Sequence, residues 1–259
     1  MSHISYSELK NWATCPHYHK LINIEKKGSF NGNEYTAFGS ALHEACEKNY
    51  QDQKKEFDMY KHFQGAFVRE LDQLDKYDPK LTEAMDGQAE MILEEVVDSL
   101  EDYFGPVEVV TTEEQLYIPI DEFEDGEYKF KGYIDLVVKD KKGKVHIVDW
   151  KTCSWGWDSR KKSDPMITYQ LTLYKHYWAK KHSVDPKEIE THFALLKRTA
   201  KSKRVEFFRV TSGPKKTSNA VNLMLKALYN ISKKFHIKNK LACKSQYGYC
   251  EFYNTEHCR

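Results

Sequence analysis

Apolar residues recur every three or four positions through the first 105 residues of this 259-residue chain and then take up the closer spacing of β-strands. The helical spacing is clearest over 56–77, where five apolar side chains share one face: Phe57, Tyr60, Phe63, Phe67 and Leu71. Beyond residue 105 the pattern predicts three consecutive strands, over 107–120, 127–138 and 144–151. The switch indicates an accessory helical lobe followed by a strand-rich core.

Residues that typically begin or end helices set the bounds of the remaining predicted elements. Ser5-Tyr6-Ser7-Glu8 is typical of a capped helix start, and Cys15-Pro16 ends that helix. Further helices are predicted from about residue 37 and over 79–104, 165–181 and 214–240, with a strand hairpin over 190–198 and 204–210. We therefore expect a single α/β domain over 1–259, with a helical insertion at about 52–105 and a Cys-rich tail at 241–259.

Two carboxylates end neighbouring predicted strands. A three-residue loop at 141–143 would place Gly143 where a left-handed backbone is needed. That register pairs Asp135 with Asp149, and Lys151 shares their face because side chains alternate along a strand. Opposed carboxylates repel each other, and a divalent cation between them removes the conflict. The pattern indicates a phosphodiester-cleaving site, although acids and lysines also end strands by chance.

Three further side chains fall where this site can use them. His43 follows a small-residue stretch on a predicted helix. Gln170 and Tyr174 lie four positions apart on the helix that follows the strand containing Lys151. Carboxylates and water suit Mg²⁺ or Mn²⁺, and imidazole favours Mn²⁺. His43 and the two aspartates are therefore candidate ligands for one or two ions. An interior packing role for His43, and surface packing for Gln170 and Tyr174, are the alternatives.

Charge divides the chain although its net charge is only +1. Residues 1–138 hold 13 Lys and Arg against 29 Asp and Glu, whereas residues 139–259 hold 27 against 10. Lysine and arginine fit phosphates, and interleaved aromatic rings can stack on unpaired bases. A solvated charged surface is the alternative to DNA binding. The candidate DNA-binding residues are Lys197, Arg198, Lys201, Lys203 and Arg204.

Other features of the sequence indicate the compartment in which the protein works and the motifs that it lacks. No stretch approaches the roughly 18 apolar residues of a membrane span, and no basic segment leads into an apolar run near the N-terminus. We expect neither a membrane span nor a signal peptide. Six irregularly spaced cysteines suit a reducing compartment, which we take to be the bacterial cytoplasm or a phage-infected host. No GxxxxGK[ST] motif occurs, so the sequence contains no NTP-driven motor of that type.

Five short motifs, in order and at similar spacing, resemble the RecB-like branch of the PD-(D/E)XK nuclease superfamily. They are Ser7 through Cys15-Pro16, Gly39-x-x-x-His43, Gly132-Tyr133-Ile134-Asp135, Asp149-Trp150-Lys151 and Gln170-x-x-x-Tyr174. The resemblance spans nearly the whole chain. It implies a restriction-endonuclease-like α/β core, with a mixed central sheet flanked by helices, and metal-dependent cleavage of DNA.

The same resemblance implies roles for the matching residues. His43, Asp135, Asp149 and the backbone carbonyl of Trp150 would bind metal, and Lys151 would position or activate the attacking water. Gln170 and Tyr174 would support the site and the DNA backbone. Asp149 stands where many relatives have Glu. A first-strand acid is sometimes used as well, for which Glu113 and Glu114 both qualify and Glu114 is the better placed.

The cysteines extend the resemblance. Some RecB-like nucleases hold a 4Fe–4S cluster with one N-terminal and three C-terminal cysteines, as Cys15, Cys243, Cys250 and Cys258 could do here. The tail spacing is wider than the family's C-x2-C-x5-C. Zinc, with His257 or His17 as substitute ligands, and metal-free packed thiols are the alternatives. Packing roles are expected for Cys46 and Cys153.

Together these features predict a metal-dependent DNA nuclease. We expect an exonuclease or an end- or flap-processing enzyme of recombination, repair or replication, acting on single-stranded DNA or DNA with free ends. The missing motor suggests a phage-like or stand-alone nuclease, or one with a helicase or recombination partner. The alternatives are a site-specific endonuclease and a non-catalytic DNA-binding subunit of a helicase–nuclease complex.

Overall fold

The computed structural model describes residues 2–51, 57–245 and 248–259. The α-helices are α1 (Tyr6–Thr14), α2 (Pro16–His19), α3 (Glu34–Gln51), α4 (Met59–Leu71), α5 (Pro79–Phe104), α6 (Ser159–Ser163), α7 (Pro165–His182) and α8 (Pro214–Ser232). The strands are β1 (Ser2–Ser5), β2 (Val107–Pro119), β3 (Tyr128–Asp140), β4 (Val145–Cys153), β5 (Ile189–Lys197), β6 (Val205–Val210), β7 (Lys244–Ser245) and β8 (Gly248–Tyr249).

The chain forms two compact units. One contains residues 1–30, 116–132 and 213–259, and the other contains residues 31–115 and 133–212. We call them the terminal unit and the core unit. Strands β2 and β3 contribute residues to both.

Side-chain caps and prolines fix where several helices begin. Ser5 accepts a hydrogen bond from the Glu8 amide at the start of α1, as the sequence predicts. Asp78 and Asp164 cap α5 and α7 in the same way, and each is followed by a proline at the first helical position. These signals explain why the predicted helix starts agree with the structure.

The core unit is built on a mixed sheet in the order β3–β4–β5–β6. β3 and β4 run antiparallel, β4 and β5 run parallel, and β5 and β6 run antiparallel. β4 and β5 are buried along nearly their whole length, as expected for central strands covered on both faces. The predicted α/β fold with a mixed central sheet flanked by helices is confirmed.

Helices cover both faces of this sheet. Side chains alternate between the two faces along each strand, and both faces are apolar. Even-numbered side chains of β3, β4 and β5, such as Leu136, Val148 and Ala194, belong to one core with residues of α3, α4 and α5. Helix α7 packs against β4 and β5. The predicted helical insertion at 52–105 corresponds to α4 and α5, and its residues 52–56 lie outside the described part of the chain.

The terminal unit joins both ends of the chain. β1 runs parallel to residues 128–131 of β3, α1 contacts α8, and β7 pairs with β8 in the tail. Sequence reasoning missed β1, and it carried the last long helix to residue 240, whereas α8 ends at Ser232. In the part of the chain that the structure describes, no helix has the length and apolar character needed to cross a membrane.

Candidate active site

The β3–β4 hairpin has the register that the sequence predicts. Gly143 closes its loop with a φ of +82°, in the region that glycine adopts at little cost. Leu136 lies opposite Val148. The next pair along the two strands is therefore Asp135 and Asp149, on a common face.

Asp149 is held on both of its carboxylate oxygens. The Lys151 Nζ atom lies 2.5 Å from Oδ2, and the Gln170 side-chain amide donates to Oδ1 at 2.8 Å. The same amide donates to the Tyr174 hydroxyl at 3.2 Å. Because Asp149 is only 1% exposed, the lysine offsets a carboxylate that water barely reaches. The i, i+4 spacing on α7 does bring Gln170 and Tyr174 to this site.

Asp135 lies between β4 and helix α3. The Trp150 backbone N–H donates to Asp135 Oδ2 at 2.7 Å, and His43 Nδ1 lies 3.9 Å from the same oxygen. Helix α3 approaches β4 closely at Gly39, where a Cβ would meet the Thr152 hydroxyl at 3.2 Å. A glycine one turn before His43 therefore helps to set the histidine beside the hairpin. The Trp150 carbonyl as a metal ligand stays a prediction.

Two further carboxylates join Asp135. One oxygen each of Glu47, Glu113 and Asp135 lie within 4.8 Å of one another. Glu113 has a φ of +50°, a left-handed conformation that is uncommon for a residue with a side chain and that recurs at functional sites. Sequence reasoning did not assign Glu47 to the site. Its signal was available, because Glu47 follows His43 by four positions and so shares a helix face with it.

The preference for Glu114 over Glu113 is wrong. The Glu114 carboxylate is buried against α7, where it accepts from Trp178 at 2.8 Å and lies 2.6 Å from both Lys181 and His182. The left-handed backbone at Glu113 interrupts the regular alternation of the strand, and only one of the two glutamates has a carboxylate oxygen beside Asp135. That residue is Glu113.

The electrostatics of the group favour a bound cation. Burial raises the pKa of Asp135 and of Asp149 to about 6, although the Lys151 ammonium lowers both. Burial and the neighbouring Glu113 raise the pKa of Glu47 to about 9. These shifts mean that ionising the carboxylates together is unfavourable in the metal-free protein.

The donor set fits Mg²⁺ or Mn²⁺. Carboxylate oxygens from Glu47, Glu113 and Asp135 are hard ligands of the kind that these ions take. Burial, followed by the nearby Lys151 cation, lowers the pKa of His43 to about 4. Its imidazole is therefore in the neutral form that can ligate a metal at neutral pH.

The four cysteines of the one-plus-three pattern lie together in the terminal unit. Cys15, Cys243, Cys250 and Cys258 line one cavity of about 350 Å³, and all are partly buried free thiols. The Cys250 amide donates to the Cys243 carbonyl at 2.9 Å. The fold thus brings to one place thiols from both ends of the chain. Cys46 is fully buried, as its expected packing role requires.

The five candidate DNA-binding residues differ in their surroundings. Lys197 is 8% exposed and its Nζ lies 3.2 Å from Glu206, so its charge is balanced within the fold. Arg198 donates to Gln88 at 3.0 Å, and Arg204 donates to the Arg198 carbonyl at 3.1 Å. The remaining two, Lys201 and Lys203, are exposed.

Of three comparisons with known proteins, the one with family models identifies the superfamily of this chain. No protein with a curated description matches the sequence at a significant level. One solved structure, described as the crystal structure of SSO0001, is 13% identical, and the match covers 91% of this chain and 82% of that one. Its TM-score of 0.42 is too low to carry an argument. The family model of the PD-(D/E)XK nuclease superfamily matches residues 3–258. The chain therefore belongs to the PD-(D/E)XK nuclease superfamily, whose members are metal-dependent nucleases.

Proposed function

We propose that this chain hydrolyses phosphodiester bonds in DNA at the site around Asp149 and Lys151. The observation that carries the proposal is the fixed position of the Asp149 carboxylate, with Lys151 at 2.5 Å on one oxygen and Gln170 at 2.8 Å on the other. Membership of the nuclease superfamily supports it independently.

Each residue around the Asp149 carboxylate has a distinct role in this proposal. Lys151 is held as a cation by its ion pair and directs its remaining N–H groups at the attacking water or at a phosphate oxygen. Gln170 prevents the Asp149 carboxylate from rotating, and the Tyr174 hydroxyl in turn accepts from Gln170. The site is thus ordered before DNA binds.

The metal is assigned to the carboxylates on the hairpin side of α3. Glu47, Glu113, Asp135, Asp149 and His43 would hold one or two Mg²⁺ or Mn²⁺ ions, with the Trp150 carbonyl as a further ligand. A bound ion supplies charge stabilisation for the phosphoryl oxygens and a lower pKa for a water molecule.

We also place the chain in the RecB-like branch, as an exonuclease or an end- or flap-processing enzyme of recombination, repair or replication. The Gln170–Tyr174 pair at the active site and the convergence of the four cysteines support this placement. Single-stranded DNA or DNA with free ends is the expected substrate, and a helicase or recombination protein is the expected partner.

We assign a 4Fe–4S cluster to Cys15, Cys243, Cys250 and Cys258. All four thiols line one cavity of about 350 Å³, and they come from both ends of the chain, which supports this assignment.

The form of the DNA substrate tests the proposed activity. End-labelled linear single strands, linear duplexes and closed circles are incubated with the protein and with Mg²⁺, Mn²⁺ or EDTA. We expect metal-dependent cleavage of the linear DNA, with circles left intact. Cleavage of circles would identify an endonuclease. Tight DNA binding without cleavage under every metal condition would instead support a non-catalytic subunit.

A further inference from the structure

A second group of metal-binding side chains lies on the other face of the β4–β5 strand pair. His146 is on β4, Glu190 and His192 are on β5, and the register places His146 beside Glu190. Positions 190 and 192 share a face because side chains alternate along a strand. By the same alternation Asp149 and Lys151 point away from His146. The sheet therefore separates this group from the candidate active site.

The three potential donor atoms form a compact triangle. His146 Nδ1 and His192 Nε2 are 3.1 Å apart, and each lies 4.0 Å from Glu190 Oε2. Zinc bonds of about 2.0–2.2 Å to nitrogen and oxygen place tetrahedral ligands about 3.3–3.5 Å apart. Shifts of about half an ångström would bring all three atoms to zinc-binding distance.

The ring nitrogens that face away from the triangle have partners of their own. His146 Nε2 lies 3.5 Å from an Asp140 carboxylate oxygen, and His192 Nδ1 lies 3.3 Å from the Tyr103 hydroxyl. Metal-binding histidines are oriented in this way by carboxylates and other polar groups on the opposite ring nitrogen. The inner nitrogens of both rings, which share a hydrogen bond with each other, therefore already converge on one point beside Glu190.

Both imidazoles are buried, and solvent reaches the group from the Glu190 side. His146 is 6% and His192 2% exposed, and the Phe104 ring lies 4.8 and 4.9 Å from the two rings. Glu190 reaches solvent, and Arg209 binds its other oxygen at 3.0 Å, which leaves Oε2 for a cation.

We propose that His146, Glu190 and His192 bind one zinc ion on the sheet face opposite the candidate active site. Two imidazoles and one carboxylate suit zinc better than they suit magnesium, which prefers oxygen ligands. A water molecule on the Glu190 side completes the coordination. The ion would tie β4 to β5 beside the end of α5 and keep one coordination position open to solvent.

Metal titration of the full chain tests this site without DNA. Chelator-stripped protein is titrated with Zn²⁺ against a chromophoric chelator, and with Co²⁺ as a spectroscopic probe. We expect Glu190→Gln to bind one equivalent of Zn²⁺ fewer than the wild type, or to bind that equivalent at least about tenfold more weakly. It should also lose visible Co²⁺ bands typical of a four-coordinate nitrogen and oxygen site.

Two further variants separate the loss of a zinc ligand from a general effect of substitution. Glu188→Gln changes an exposed carboxylate two positions away, paired with Lys144 at 3.2 Å, and should bind Zn²⁺ like the wild type. Tyr103→Phe removes only the outer partner of His192 and should weaken that equivalent by about tenfold. Cobalt bound by the cysteines is recognised by thiolate charge-transfer absorption. Equal Zn²⁺ stoichiometry and affinity in wild type, Glu190→Gln and Tyr103→Phe would overturn the proposal.

Discussion

Lys151 and Asp149 lie two positions apart on one strand, and the lysine Nζ atom is 2.5 Å from the aspartate Oδ2 atom. Asp149 is almost completely buried, so water screens its attraction to the Lys151 ammonium only weakly. The same ammonium group also interacts with Asp135, whose carboxylate lies beside those of Glu47 and Glu113. The excess of negative charge is what a divalent cation would offset.

Burial of the Asp135 carboxyl, together with the nearby Glu113, makes the stability of the metal-free protein depend on pH. The folded-state pKa of Asp135 is about 6, above the value of about 3.9 in an unfolded chain. The stability that comes with the raised pKa is fully present below about pH 4 and is lost as the pH rises through about 6. Asp135→Asn mimics the protonated form. In EDTA we expect it to be more stable than the wild type at pH 8, by up to about 3 kcal/mol, and equally stable at pH 4.

Urea unfolding at the two pH values measures this difference. Asp98→Asn, at an exposed position of α5, is the control and should match the wild type at both. Mg²⁺ should then stabilise the wild type more than Asp135→Asn. A wild type that is more stable than Asp135→Asn at pH 8 in EDTA would contradict the assigned charge conflict.

His43→Ala should impair metal use and leave the fold intact. His43 lies 3.9 Å from Asp135 and stays neutral because its pKa is about 4. We expect the Mn²⁺ concentration for half-maximal cleavage to rise about 10- to 100-fold, the range seen when metal ligation is disturbed. His62→Ala, a helix histidine paired with Glu44, should behave like the wild type. A large loss of thermal stability with an unchanged metal requirement would show that His43 is only a packing residue.

DNA affinity should depend on the exposed lysines after β5. Charge reversal of Lys201 and Lys203 should weaken binding equally for all DNA sequences. It should also reduce the slope of log K against log salt by about 0.9 per lost duplex phosphate contact, or about 0.7 for single strands. Reversal of Lys61 and Lys80, exposed on α4 and α5, is the control. Fluorescence anisotropy over a salt series measures both slopes. An unchanged slope in the Lys201 and Lys203 variant would place the DNA elsewhere.

Cys258→Ser should remove iron from the terminal unit. Protein purified without oxygen should be brown and contain about four iron atoms per chain, because four thiolates hold the cluster. The variant should lose that iron and melt at lower temperature, since metal-binding energy at such a site is also folding energy. Cys153→Ser, at a cysteine outside the cavity, is the matched control. Colourless anaerobic protein with unchanged melting in Cys258→Ser would disprove the cluster.

Local chemistry made much of the core predictable from the sequence. The period of apolar residues located the helices and strands, and Gly143 fixed the hairpin register and hence the pairing of Asp135 with Asp149. The i, i+4 rule correctly placed Gln170 and Tyr174 on one face. Each of these inferences depends on residues that are close in sequence.

The features that were missed depend on contacts between distant segments. Glu113 faces the site through a left-handed backbone, which glutamate does not favour and the sequence therefore does not predict. Glu114 points instead to three partners on α7. The partly buried ion pair of Lys197 with Glu206 is set by the pairing of β5 with β6. His146 and His192 are 46 residues apart and meet only because β4 and β5 run side by side.

The cleavage rate of Lys151→Ala tests whether Lys151 serves the attacking water. We compare it with the wild type and with Lys139→Ala, at an exposed lysine of β3, on end-labelled linear DNA with saturating Mn²⁺. We expect Lys151→Ala to remain folded, to bind DNA, and to cleave about 10²- to 10⁴-fold more slowly, the range for loss of a group that positions or activates the attacking water. Lys139→Ala should cleave at the wild-type rate. Near wild-type cleavage by Lys151→Ala would contradict the assignment of the active site.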